Sequence, residues 1–278
     1  MRRIAWWLGG LVLVLLVLVR RALRTCGESD RGVGVVKAPA RDAGEVAQRA
    51  GTQRAAATAL APGSPSRSIL FGDLHVHTTF SIDAFLQGLP IFGGEGAHPP
   101  ADACDYARHC AQLDFFSLND HAESLWPARG HESGARARGS TGRAGDPASP
   151  DLVAYAGYEW TQVGLTPDAH YGHKNVVFRG IGEGEVAARP IDSLPSNVNE
   201  RAQGMEAVER LAGIDSLGMY SDFFFTIHKL GTKTPCEEGV DTRELPDDCR
   251  ENATTPRALF EKLAQSGLDT IVIPHGLA

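Results

Sequence analysis

Positive charge is not in excess in this chain: 27 Lys and Arg stand against 34 Asp and Glu, a formal net charge of −7. That balance leaves no electrostatic footprint for nucleic acid, so small molecules are the expected partners. The part read below as folded contains no Gly-x-Ser-x-Gly turn, which removes the nucleophile-elbow signature of a serine hydrolase. Cysteine is scarce, with five in 278 residues. Cys104 and Cys110 fall within a predicted helix, six residues and therefore about 600° apart, so they face different ways and read as packed side chains rather than a pair or a nucleophile.

The first 24 residues, MRRIAWWLGGLVLVLLVLVRRALR, have arginines on both sides of an uncharged, mostly apolar run from Ile4 to Val19. At 1.5 Å per residue this run spans about 24 Å, enough for a thin membrane anchor or the core of a signal peptide. No small-x-small cleavage site follows closely, and the arginines behind the run resemble a stop, so residues 1–24 read as an uncleaved anchor. Cys26 lacks small residues before it and makes a poor lipoprotein site. Residues 25–68 are rich in Ala, Gly, Arg and Pro with little apolar periodicity, which predicts a flexible linker. The folded part, 69–278, then lies in the periplasm or outside the cell, or is secreted if the segment is cleaved. Cys236 and Cys249 bracket the acidic, turn-rich CEEGVDTRELPDDC and are expected to form a bridge that suits an exported protein.

Within 69–278, SILFGDLHV reads as a strand, ADACDYARHCAQL as a helix behind Pro99 and Pro100, and DFFSLND as a second strand. LVAYAGYEW, HKNVVF and DFFFTIHK read as further strands. TTPRALFEKLAQSG has a threonine N-cap, a first-turn proline and a closing glycine, all marks of a helix, and LDTIVIPHG follows as a strand. Alternating elements of this kind predict a mostly parallel α/β sheet, open or closed into a barrel. His75, His77, Asp120, His121, Glu159, His228 and His275 all fall at or just past the C-terminal ends of apolar strands, the edge where such folds assemble their sites.

Side chains at i and i+2 of a strand share a face, so His75 and His77 can point at one ion. Imidazole nitrogen suits Zn, Mn or Fe, and carboxylates of Asp83, Asp120 or Glu159 would complete or bridge a multinuclear site. A His-x-His pair alone is more often incidental than ligating. Delivery of His, Asp or Glu to one edge by three or more strands is not, because each side chain would otherwise need its own buried partner.

The stretches DLHVHTTFSID, SLNDHAE, YEWTQ, HYGHKNVVF and TIVIPHG together resemble the PHP (polymerase and histidinol phosphatase) superfamily, in particular a branch long known only as a domain of unknown function. The resemblance covers 69–276. It implies a distorted (β/α)7 barrel with two or three divalent metals (Mn, Zn or Fe) at the C-terminal ends of the strands. Superfamily members hydrolyse phosphate esters, and members of this branch are described as arylsulfatases. Carried over by position, the ligands are His75, His77, Asp83, His121, Glu159 as the bridge, and His275, with His173 ahead of His170 and His228 for the place between the last two. Asp83 and Asp120 would serve in catalysis, and Lys174 or Lys229 would neutralise charge on the transferred group. Two departures stand out. The superfamily's late Asp-x-His motif does not occur up to Ala278, which predicts a domain that is partial at its C-terminus. The glycine-rich 129–150 occupies the place of a connecting helix, which glycine disfavours by up to about 1 kcal/mol per residue.

The expected activity is metal-dependent hydrolysis of a small-molecule sulfate ester, with phosphomonoester or phosphodiester hydrolysis on the same site as the alternative. A non-catalytic metal-binding remnant and a tethered binding module are the readings of another class.

Overall fold

A computed structural model of the protein describes residues 40–63, 67–81, 98–125, 151–164, 166–182, 184–194 and 234–276, with isolated positions at 14, 34, 36, 37, 83, 84 and 88. The chain divides after Gly32 into two units, and everything below concerns the second. Apart from Val14, the N-terminal apolar run lies outside the described residues, as do 129–150 and the strand expected over 222–229 with His228 and Lys229. Among the described residues no helix is long and apolar enough to cross a membrane.

Among the described residues five strands make one sheet in the order β1 (Gly72–Val76), β2 (Phe115–Leu118), β3 (Val153–Gln162), β4 (Gly172–Phe178) and β7 (Thr270–His275). β1, β2 and β3 run parallel, but β4 is antiparallel to β3 and to β7. This mixed, half-barrel sheet replaces the (β/α)7 barrel expected from the resemblance. The reason lies in the connection between β3 and β4. The connection 163–171 is nine residues long and its described residues hold a short 3-10 turn, Pro167–Ala169, whereas a parallel return needs a crossover of a dozen residues or more. The chain therefore doubles back as a hairpin.

The sequence β1, α2 (Pro100–Asp105, continued by a π-turn over Tyr106–Cys110), β2 follows the expected strand, helix, strand unit. Helix α2 closes one apolar cluster, in which Cys104, Ala107, Phe116, Leu118 and Leu152 pack together. The second cluster lies on the even-numbered face of the β3–β4 hairpin, where Tyr158, Trp160, Val176 and Phe178 meet Ala122 of the short helix α3 (Ala122–Leu125) and Leu259 and Leu263 of α4 (Pro256–Ser266). Thr255 caps α4 through its side chain and Gly267 ends it at φ +69°, as the sequence predicts. The odd-numbered face carries Glu159 and Thr161 of β3 and His173 and Asn175 of β4.

The segment 25–68, expected to be a flexible tether, contains helix α1 (Ala43–Leu60). Ala, Gln, Arg and Glu are good helix formers, and Asp42 caps the first turn by accepting from Gly44 N and Glu45 N. The helix has no buried residue and is fastened by charge. Arg49 Nε and Gln53 Nε2 bond the two oxygens of Asp114 at 2.8 and 2.7 Å, and Arg41 N donates to Asp151 Oδ2 at 2.9 Å.

Cys236 and Cys249 form the expected disulfide, while Cys104 is buried and free and Cys110 is exposed. The bridged loop precedes β6 (Glu251–Asn252), which pairs with β5 (Ile191–Asp192) as a small second sheet. Closing a loop of 13 residues' separation stabilises the fold by about 3 kcal/mol in the chain-entropy model. The Cys236→Ser/Cys249→Ser chain is therefore expected to unfold at lower urea with a free-energy loss of about that size, and a loss below about 0.5 kcal/mol would count against the assignment.

Candidate metal centre

Four parallel strand ends and the start of β4 converge on one carboxylate. Glu159 lies on the odd face of β3, and its side chain is 2% exposed. Its Oε2 stands 2.8 Å from His77 Nε2 and 3.2 Å from His75 Nε2, at the end of β1. Its Oε1 meets His173 Nδ1 of β4 and lies 3.5 Å from His275 Nε2 at the end of β7. His121 Nδ1, just past β2, is 3.9 Å from the same oxygen. Backbone pairing sets this up: His121 and Glu159 form a bridge that prolongs the β2–β3 ladder, and Thr161, His173 and His275 sit opposite one another across β3, β4 and β7.

A second carboxylate closes the other side of His77. Asp83 lies 3.1 Å from His77 Nδ1 and 3.5 Å from His121 Nε2, and Ser81 Oγ stands 3.0 Å from His77 Nδ1. The donor atoms fall into two groups suited to a metal ion, His75 with Glu159 and His275, and His77 with Asp83 and His121. The Nε2 atoms of His75 and His77 are 2.9 Å apart, so the groups adjoin.

The donor set fits metal better than protons. One carboxylate offers about four lone-pair sites and cannot satisfy five imidazoles. His275 shows the shortfall, because its Nδ1 and Nε2 are both buried without a hydrogen-bond partner among the described residues. Such an atom costs about 1–3 kcal/mol, and a divalent cation would relieve it. Nitrogen and carboxylate oxygen are the donors that Zn, Mn and Fe accept.

Electrostatics follow the same geometry. Burial works against ionised Asp83, yet contacts from His121, His77 and Ser81 hold its carboxyl well below the usual range. Burial likewise opposes ionised Glu159, and His77, His121, His173 and Thr161 overcome it. His75 is pushed down by burial and by His275 and His77. For His77, burial is outweighed by Asp83 and Glu159, and its pKa rises to about 10 from 6.5. A histidine raised in the fold stabilises fully below its unfolded value and loses that contribution as pH rises through its folded one. The melting temperature of the chelator-treated chain is thus expected to fall between pH 7 and 10, and a His77→Gln chain to lack that decline; identical profiles would refute the assignment.

Two expected catalytic residues are placed elsewhere. Asp120 accepts from Thr78 N at 2.6 Å and from Thr78 Oγ1 at 2.9 Å; it shapes the turn after β1 and belongs to neither ligand group. Lys174 follows His173 on β4, and neighbours on a strand face opposite ways. It pairs with Trp160, its Nζ lies 4.9 Å from that ring's centre, and it donates to Tyr171 O, all on the face away from Glu159. His170 Nδ1 is 3.3 Å from Gly164 O, so of the two described candidates only His173 reaches the centre. Sequence reading missed Thr161, whose hydroxyl donates to Glu159 Oε1 at 2.8 Å and lies 2.9 Å from His121 Nδ1. Its position at i+2 from Glu159 was the available signal. It also missed Glu123, whose carboxylate is 3.9 Å from His121 Nδ1 and accepts from Ser193 N and Oγ.

Residues 64–139 match a family described as a protein of unknown function (DUF3604). The matched span contains His75, His77, Asp83, Asp120 and His121. No curated protein and no solved structure matches the chain significantly.

Proposed function

We propose that the chain is a metal-dependent hydrolase of small-molecule sulfate esters, related to the arylsulfatase branch of the PHP superfamily. One observation carries this reading: two adjoining groups of His, Asp and Glu donors gather around Glu159 at the C-terminal ends of parallel strands. When bound there, two or three divalent ions would supply positive charge to the ester's oxygens and acidify a water. The chain's own side chains do the rest. Glu159 and Asp83, both held in the ionised form, would each serve one of the two donor groups. Asp83 is a poor proton acceptor for that reason, which makes it a ligand rather than a base. His75, with its side chain 40% exposed, forms the mouth where an ester enters. Thr161 engages the Nδ1 side of His121, so the ring's other nitrogen would be the one free to serve an ion.

Phosphate ester hydrolysis uses the same donors, since both substrates are tetrahedral oxyanions. The chain is placed by this reading in the cell envelope, with residues 1–24 as its membrane segment.

The test is metal content of the purified chain by elemental analysis, with nitrophenol release from aryl sulfate and aryl phosphate measured side by side. Two or three ions per chain and sulfate turnover that His75→Ala abolishes is the expected result. Turnover of phosphate alone moves the assignment to the alternative. Bound metal without turnover leaves a binding protein, and no bound metal overturns the reading.

A further inference from the structure

The β1–β2 ladder is irregular where the site begins. Gly72 and Asp73 pair with Phe115 and Phe116, while the next pair is Val76 with Leu118. Between these pairs β1 advances from 73 to 76, three residues, and β2 from 116 to 118, two residues. Such a bulge leaves one residue out of the ladder and re-aims its neighbours. Here the residues concerned are Leu74 and His75.

The Leu74 carbonyl inside the bulge is gripped by side chains. Asn175 Nδ2 of β4 donates to it at 2.7 Å, reaching across the curled sheet. The Asn119 amide, oriented to match its neighbours, donates to it at 3.0 Å and to Ser117 Oγ at 2.8 Å. A carbonyl oxygen has two lone pairs, and two donors fill them. Both asparagines are buried, Asn175 at 2% and Asn119 at 0% exposure, so neither is a surface residue in chance contact. Asp73 adds a third fastening, because its Oδ1 accepts from His75 N at 2.9 Å. The space is kept by Gly157, where a Cβ would meet the Asn119 amide at 2.5 Å and Val176 O at 2.4 Å.

Asn175 also shares a register pair with Glu159, so the residue that holds β1 stands beside the central carboxylate. We propose that Asn119 and Asn175 form an amide clamp on the Leu74 carbonyl that fixes the β1 bulge and thereby presents His75 to Glu159 and His275. They are positioning residues, and the proposal rests on the metal-dependent reading above. The clamp acts on the group formed by His75, Glu159 and His275 more than on that formed by His77, Asp83 and His121, because Leu74 adjoins His75 and because Asp83 and His121 lie outside β1.

The test compares the full chain with Asn175→Leu, which keeps much of the volume and removes the donor, and with the smaller Asn175→Ala should the first fail to fold. Manganese is titrated in and followed by elemental analysis and by the paramagnetic resonance signal of coupled ions, while hydrogen exchange is measured over 72–77 and over α4. The expected result is faster exchange in 72–77 with α4 unchanged, and about 10- to 100-fold weaker binding of one ion, with the coupled signal replaced by that of an isolated ion. Wild-type affinity for both ions overturns the clamp, and so does loss of both ions together with faster exchange throughout. A wild-type chain that binds no manganese overturns the hydrolase reading instead, and exchange over 72–77 then decides separately whether the asparagines hold β1.

Discussion

Glu159→Gln is expected to remove bound metal and turnover together. Glutamine keeps the size of the side chain but has no charge, and one of its two terminal atoms is a donor. Five histidines surround that position, with nitrogens from 2.8 to 3.9 Å for His77, His75, His275 and His121 and with His173 in closer contact. No other carboxylate among the described residues reaches both His75 and His275. Elemental analysis should show the loss of at least one ion per chain, and aryl ester hydrolysis should fall by about 10²-fold or more, since changes even outside the ligand shell cost about 10- to 100-fold. A Glu159→Gln chain that keeps its metal and its rate would remove the centre from consideration. Thr161→Val makes a useful contrast, because it takes only a hydroxyl from beside Glu159 and should weaken metal binding without abolishing it.

Asp192→Ala is expected to have the largest effect on stability. Arg250 Nη1 lies 2.9 and 3.0 Å from the two oxygens of Asp192, and the two side chains are 1% and 0% exposed. Removing Asp192 takes away the carboxylate that faces the buried Arg250, which keeps its bond to Leu194 O, and breaking a buried ion pair in this way costs about 3–5 kcal/mol. The pair sits behind the site: Ala253 N donates to Asp192 O, and Ala253 O accepts from Trp160 Nε1 at 2.8 Å. Urea denaturation of Asp192→Ala, Arg250→Leu and the double variant separates the pair from its surroundings. The double variant should recover much of the loss, and a single-variant loss under 1 kcal/mol would show that the pair is not strongly coupled.

Much of the centre was legible because it obeys one rule, polar residues at the ends of apolar strands. His75, His77, Asp83, His121, Glu159, His173 and His275 were all named on that ground or by resemblance, and the structure brings them together. Strand direction was less legible. An apolar run reads alike whether its strand is parallel or antiparallel, and only the short 163–171 connection carried the information. Lys174, expected to neutralise charge, stands beside Trp160 rather than beside Glu159, because the period of two on a strand puts it on the face opposite His173. Asp120 lies outside both donor groups with its oxygens accepting from Thr78, a contact that chain order does not reveal. In 43–60 an alanine-rich composition that reads as loose tether was also good helix sequence, and contacts with Asp114 settled it.

The antiparallel return of β4 also bears on the order in which the chain folds. A hairpin closes over few residues and forms on a scale of about 1–10 μs, whereas contacts between distant segments wait on larger loop closures. Glu159, Thr161 and His173 belong to that hairpin, with Thr161 and His173 directly opposed. His75 and His275 come from strands 200 residues apart in number and join at the sheet's two edges, their rings 4.0 Å between centres. The central carboxylate and one imidazole thus belong to a local unit, so a nascent chain can bring Glu159 and His173 together before His75 and His275 meet across the sheet.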